Sequence, residues 1–383
     1  MIKKWYGDTF KLGVLGGGQL GRMMIQSAMN FDVHVYAMDR SKSAPCGTLA
    51  YDFTEGNIQS YDDVIAFGKD KDVLTVEIEH INVEALEQLE KEGVKVFPQP
   101  RVLKLIQDKG LQKEFYKKNN IPTAPFHLID QKENLSNYEN ELPFIQKMRK
   151  GGYDGKGVTS LNTTADFTSK AFDTPSLIEE KVDFEKELSV LVARNEHGEV
   201  QTFPVVECEF SEKLNLVEFL FSPANIDPSI EEKATVLAVD VIEKLDMVGL
   251  LAVELFLTKD GELLVNEVAP RTHNSGHHTI ECNYTSQFEQ HLRAILGLPL
   301  GDTSIITPGV MINLLGDEKF EGPAVYQGME DVISRKGVYV HLYGKPTTKP
   351  NRKMGHITIT NDEIDQAKSV AREVQNSIKV VSN

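Results

Sequence analysis

The strongest constraint on the fold lies at residues 250–271, Leu-Leu-Ala-Val-Glu-Leu-Phe-Leu-Thr-Lys-Asp-Gly-Glu-Leu-Leu-Val-Asn-Glu-Val-Ala-Pro-Arg. Two apolar runs flank Lys259-Asp260-Gly261-Glu262, and Asp-Gly is the preferred centre of a two-residue hairpin turn. The stretch predicts antiparallel strands at 250–257 and 262–268 that meet in one register. In that register Glu254 and Glu267 face each other, with Cβ atoms about 5 Å apart.

Like charges directly opposite destabilise a ladder, and a carboxylate among apolar neighbours is costly when unpaired. A bridging cation answers both problems. Oxygen ligands at this spacing suit Mg²⁺, with Mn²⁺ as a substitute, because such ions take one or two carboxylates and complete their shell with phosphate oxygens and water. The alternative is a solvated pair on an exposed sheet face.

Upstream, residues 10–100 alternate strand patterns (12–15, 33–37, 73–76, 94–97) with helix patterns (20–30, 60–68, 82–92), the signature of a parallel, doubly wound sheet. Pro98 and Pro100 mark a boundary, and a helix is predicted over 101–119. Residues 126–207 turn strand-like around a glycine-rich loop. A helix follows at 229–247, and the text beyond Gly297 is again strand-like. An amphipathic helix closes the chain at 362–380. The class is α/β and α+β multidomain.

The chain has 383 residues, and its net charge of −16 argues against a nucleic-acid surface, which must neutralise phosphates. It leaves room for a small anionic ligand held by a few local cations. Cys46, Cys208 and Cys282 lie far apart with no metal-type spacing, which predicts free thiols in a reducing cytoplasm. The first residues lack the apolar core of a signal peptide, and no run approaches a membrane span.

Three stretches carry anion-binding chemistry. Gly16-x-Gly18-x-x-Gly21, followed by Asp39 after the next apolar run, matches the dinucleotide fingerprint and raises a nicotinamide enzyme as a reading of residues 14–39. Lys147-Met-Arg-Lys-Gly-Gly-Tyr-Asp-Gly-Lys-Gly-Val158 mixes cations with glycines that let backbone N–H groups approach phosphates, though it departs from the Walker pattern. Gly344-Lys345-Pro-Thr-Thr-Lys349-Pro-Asn-Arg352-Lys353 gathers four cations in a shaped loop suited to a phosphate monoester, or else forms a solvated basic face. Directly after Glu267, Arg271, His273 and Asn274 can bind an oxyanion, whereas His277 and His278 read as structural.

The glycine-rich loop, the two-glutamate hairpin and the Asn266-Glu267 step resemble ATP-grasp ligases. Within them, GGGQLGRM, TVEIEHI, GGYDGKG, NEVAPRTHNSGHHTIE and KPNRKMGH resemble the N5-carboxyaminoimidazole ribonucleotide synthetase (PurK) family of purine biosynthesis, from about residue 11 to 360. The resemblance implies a Rossmann-like pre-grasp domain over 1–100, an ATP-grasp domain over 101–300 with a small lid at about 125–185, and a β-rich C-terminal domain over 301–383. It also implies that ATP and bicarbonate form carboxyphosphate. The exocyclic amine of 5-aminoimidazole ribonucleotide then takes the carboxyl group, in a homodimer.

Carried over by residue, the resemblance has Glu254 and Glu267 holding Mg²⁺ beside Asn266. Lys109 and Lys147 contact the nucleotide, and Gly152, Tyr153, Asp154, Gly155, Lys156, Gly157 and Val158 cover its phosphates. Glu179, Glu180, Lys181 and Val182 meet the adenine, and Glu187 meets the ribose. Arg271, His273 and Asn274, with Lys156, act on bicarbonate and its phosphorylated form. Gln19, Leu20, Lys345 and Arg352 hold the ribonucleotide phosphate, while Glu79, Tyr153 and Asp154 reach the rest of that substrate.

Thr272 stands where the family has Pro, and His278 where it has Trp. Asn351 replaces a Gly, which Asn tolerates because it enters the left-handed region more easily than most residues. Three competitors remain. A nicotinamide enzyme leaves the glutamate pair unexplained. A formate-dependent glycinamide ribonucleotide transformylase fits HNSGHHTIE less well. A non-catalytic paralogue should have lost part of the charged set.

Overall fold

The computed structural model describes residues 4–152, 157–210 and 217–382. Five parallel strands form the first sheet, in the order Asp52–Glu55, Val35–Asp39, Leu12–Leu15, Val73–Val76, Lys95–Val96. Leu12, Val14 and Leu15 at its centre are fully buried, as strands covered on both faces must be. Asp52–Glu55 was not predicted, because as a largely exposed edge strand it carries no apolar run.

The helix predicted over 101–119 is two helices, Pro100–Ile106 and Lys109–Lys118. Asp108 breaks them apart by accepting from the N–H groups of Gly110 and Leu111, which caps the second helix. That second helix carries Lys109 and Lys113 one turn apart on one face.

The lid sheet is antiparallel, in the order Phe126–Ile129, Ser176–Glu180, Phe144–Met148, Val158–Leu161. It closes over its own small core of Ile129, Leu135, Phe144, Leu161 and Ile178. Side-chain contacts tie it to the body, the Lys113–Glu179 ion pair among them. Arg149 pairs with Asp108, Lys147 reaches Asn266, and the Thr123 hydroxyl at the lid's entry donates to the Val265 carbonyl.

The largest sheet is antiparallel and begins with Leu263–Ala269, Gly249–Thr258, Phe184–Arg194 and Val206–Phe210. It continues through Val217–Ser222 into Gly309–Leu315, Lys353–Thr360 and Val338–Leu342. Three strands beyond residue 301 thus extend the central sheet without a break, while Gly322–Gln327, Thr347–Thr348 and Lys379–Ser382 form a small separate sheet. The helix Pro228–Leu245 packs its buried Ala234, Ala238, Val241 and Leu245 on this sheet. The terminal helix is shorter than predicted, Ile364–Ser377, and the chain then pairs as a strand, Lys379–Ser382, with Gly322–Gln327.

The hairpin differs from its prediction in a way that preserves the glutamate pair. Its loop has three residues, because Thr258 N–H bonds Glu262 and Gly261 adopts φ +80°. This shifts the register by one, so that Leu255 faces Val265 and Leu257 faces Leu263. A bulge at Asn266 then shifts it back, and Glu254 faces Glu267. The same bulge interrupts side-chain alternation, so Asn266 and Glu267 are both half-buried beside the buried Val265 and Val268.

Candidate active site

The facing carboxylates Glu254 and Glu267 anchor the site. Lys109 Nζ lies 2.6 Å from Glu267 Oε2, and its charge holds Glu267 well below the usual carboxylate range. Burial, then repulsion from Glu267 and Glu187, pushes Glu254 up. A pair with one carboxylate ionised and its neighbour strained by like charge is what a divalent cation would relieve. Their side chains keep 44% and 25% of their surface exposed, for Glu267 and Glu254, so an ion has access. Two carboxylates with open positions fit Mg²⁺ completed by phosphate oxygens.

On the lid side, Lys147 Nζ is 2.9 Å from Asn266 Oδ1 and 2.7 Å from Glu179 Oε2. Glu179 is buried, as is Lys113, whose Nζ lies 2.7 Å from Glu179 Oε1. Burial alone would raise the Glu179 carboxyl, but Lys147 and Lys113 hold it below its ordinary value. Burial pushes Glu187 up to about 7, against the pull of Lys147. Glu180 is exposed, with its N–H donated to Pro125, and Lys181 and Val182 follow at the end of the lid strand. Gly152, Gly157 and Val158 flank the glycine-rich loop, with Gly157 at φ +80°. Tyr153, Asp154, Gly155 and Lys156 lie outside the described residues.

On the other side, His273 Nε2 lies 3.5 Å from Glu254 Oε1, and its Nδ1 pairs with Ser275 Oγ at 2.9 Å. Burial, reinforced by Arg271 and Lys353, lowers His273 to about 3, so it is a neutral imidazole near pH 7. Arg271 grips Glu79 through Nε at 2.5 Å and Nη2 at 3.0 Å. Burial would raise Glu79, yet this guanidinium keeps it ionised. Asn274 exchanges two side-chain hydrogen bonds with Asn313 on the strand Gly309–Leu315. His277 and His278 are buried, as a structural role requires.

The opening glycine loop turns into the same cleft. Gly17 N–H donates to Asp39 and Leu20 N–H donates to Glu77. Asp39 therefore braces the loop and does not face outward as a ribose partner would. The Glu77 carboxylate accepts the Leu20 N–H that the resemblance assigns to substrate phosphate. A Cβ on Gly18 would come within 2.3 Å of Glu77 Oε1, which explains the glycine. Burial raises Glu77, opposed by Arg271 and Lys345, so residues from four distant segments converge here.

Gln19 begins the helix after this loop. Lys345 Nζ bonds the Lys353 carbonyl at 2.6 Å, and Arg352 bonds Thr347. Asn351 has φ +60°, the left-handed conformation expected where the family has Gly. Sequence reasoning missed Glu77, Lys113 and Lys353. Glu77 was visible two residues from Glu79 in a strand exit, and Lys113 four residues from Lys109 on one helix face. Lys353, whose charge acts on both Glu254 and His273, was hidden inside a basic run.

A cleft between a small antiparallel lid and a large sheet, with lysines from the lid and its preceding helix aimed at paired strand glutamates, defines an ATP-grasp enzyme. The sequence profile of the ATP-grasp domain matches residues 114–288. A ribonucleotide synthetase preATP-grasp domain matches 9–107, and a phosphoribosylaminoimidazole carboxylase C-terminal domain matches 309–370.

The N5-carboxyaminoimidazole ribonucleotide synthase of Bacillus subtilis is 39% identical over 364 residues, covering 93% of this chain and 92% of that protein. The chloroplastic phosphoribosylaminoimidazole carboxylase of Vigna aconitifolia is 41% identical over 94% of this chain, which spans only 65% of that longer protein. The N5-carboxyaminoimidazole ribonucleotide synthetase structure from Thermotoga maritima superimposes with a TM-score of 0.90 at 41% identity, covering 98% of this chain and 100% of that one. The chain belongs to the N5-carboxyaminoimidazole ribonucleotide synthetase family, and it is an ATP-grasp ligase.

Proposed function

We propose that the chain uses ATP to activate bicarbonate as carboxyphosphate. It then transfers the carboxyl group to the exocyclic amine of 5-aminoimidazole ribonucleotide, releasing ADP and phosphate. The observation that carries this reading is the position of the Glu254–Glu267 pair, between Lys109 and Lys147 on one side and Arg271 and His273 on the other. The nucleotide and the anion it phosphorylates would thus meet at the carboxylates.

In this reading Lys109 and Lys147 exchange their carboxylate partners for nucleotide phosphates. Glu254 and Glu267, with Asn266 beside them, would hold Mg²⁺, which when bound offsets charge on the phosphoryl group in flight. Arg271 neutralises the oxyanion of bicarbonate and of the carboxyphosphate made from it. The neutral His273, whose Nδ1 accepts the Ser275 N–H, carries its proton on Nε2 and donates it to an oxygen of the anion without adding a second positive charge. Glu179 to Val182 border the adenine, Glu187 the ribose, and the segment from Gly152 to Val158 covers the phosphates, keeping water from carboxyphosphate.

The phosphate of the ribonucleotide lies among Gln19, Leu20, Lys345 and Arg352, with Glu77 withdrawing from the Leu20 N–H as it enters. Glu79 reaches the remainder of that substrate. The division at about residues 100 and 300, with a lid at 125–185, the cytoplasmic setting and the homodimer belong to the same proposal. Bicarbonate-dependent ATP hydrolysis, measured with and without 5-aminoimidazole ribonucleotide, tests the core of it. The ribonucleotide should stimulate turnover, and formate should not replace bicarbonate. Turnover indifferent to the ribonucleotide would overturn the proposal.

A further inference from the structure

Gln287 begins the helix Gln287–Ile295 and is fully buried. Its carboxamide makes three hydrogen bonds, all to the loop that carries Arg271, His273 and Asn274. The Oε1 atom accepts the His273 N–H at 2.8 Å. Nε2 donates to the His273 carbonyl at 2.8 Å and pairs with His277 Nδ1 at 3.0 Å. Both N–H donors of the amide and its oxygen are thereby used.

This arrangement does to His273 what a neighbouring strand does in a ladder, because one group binds both the N–H and the C=O of the same residue. His273 is accordingly extended, with φ −133° and ψ 158°. The Thr279 hydroxyl completes the hold, accepting the Gln287 backbone N–H and donating to the Gly276 carbonyl at 2.6 Å. The fit leaves no slack: a Cβ on Gly276 would lie 2.5 Å from Gln287 Oε1. With its backbone fixed, His273 directs Nδ1 to Ser275 and Nε2 toward Glu254.

We infer that Gln287 is a positioning residue for the bicarbonate loop, a clamp that sets the His273 backbone before the anion arrives. This rests on the assignment of that loop under the proposed function. No other side chain of similar size does the same. Glutamate would set a second acceptor against the His273 carbonyl, asparagine is a methylene short, and methionine offers no hydrogen bond.

The test uses the full chain with Gln287→Met, Gln287→Glu and His273→Ala. Hydrogen exchange over residues 271–278 is read beside the KM values for bicarbonate and ATP. In Gln287→Met the His273 amide should lose its protection and the bicarbonate KM should rise about tenfold, a loss of about 1.4 kcal/mol. The ATP KM should stay within about twofold. Gln287→Glu, which keeps the size and one acceptor, should shift the same KM and stands in if the Met variant does not fold.

His273→Ala separates the two levels of the argument. If it leaves the bicarbonate KM unchanged, the assignment of the loop fails. If it raises that KM while folded Gln287 variants do not, the clamp is overturned. Equal rises in the two KM values would overturn it as well.

Discussion

Replacing Lys113 by Met removes one of the two ammonium groups that hold Glu179. Lys113 and Glu179 expose only 3% and 5% of their side chains, and their charged atoms are 2.7 Å apart. Breaking a buried ion pair by removing one partner costs about 3–5 kcal/mol, because a charge stays buried without compensation. Lys147 still lies 2.7 Å from the other Glu179 oxygen, so the low end, about 3 kcal/mol, applies here. In a chain of this size that should lower the melting temperature by roughly 4 °C.

The double variant Lys113→Met/Glu179→Leu removes the pair together and should recover part of that loss, since apolar replacement of a buried pair is often neutral. Thermal melts of the wild type, both singles and the double close the cycle. A Lys113→Met protein that melts with the wild type, or a double variant less stable than either single, would refute the reasoning. The single variant also leaves Lys147 as the sole counter-charge of Glu179. Its ATP KM should therefore rise, as measured by initial rates.

Glu267→Gln should abolish ATP turnover while the protein remains folded by circular dichroism, because Lys109, and the Mg²⁺ of the proposed function, would lose their shared ionised partner; retained Mg²⁺-dependent hydrolysis would overturn that assignment. Acid should destabilise the fold below about pH 6.5. Burial lowers His278 to about 3 and His291 to about 4, and holds His277 and His356 well below the ordinary histidine range, so the unfolded chain binds more protons and stability is lost as pH falls. Urea midpoints at pH 7.5 and 5.5 should differ clearly, and His291→Gln should flatten that difference. Asn351→Ala should cost about 1 kcal/mol through its left-handed backbone, whereas Asn351→Gly should be neutral or stabilising, as denaturant titration would show.

Sequence reasoning reached the parallel sheet and the glutamate pair because both rest on period and spacing. It reached the pair through two compensating features, a longer loop and a bulge at Asn266, neither visible in an apolar pattern that Leu264 and Val265 satisfy in either register. Asp108 was readable as a helix cap yet lay inside a continuous helical pattern. Gln287 had no local signal, since its partners His273 and His277 are defined only when the helix packs against the loop. Arg271 and Glu79, separated by half the chain, show the same limit: each reads as a ligand group, and only the fold makes them partners.

The unbroken central sheet has a mechanical consequence. Glu254 and Glu267 project from one end of it, while Asn313, Lys353 and the root of the basic loop lie on strands further along the same plate. Activation of the carbon and its delivery to the amine therefore share one rigid frame, and their spacing owes nothing to the lid. In the proposed function the lid instead keeps water from carboxyphosphate. Loosening its Arg149–Asp108 and Lys147–Asn266 ties should convert the enzyme into a leaking ATPase before it weakens the hold on the ribonucleotide.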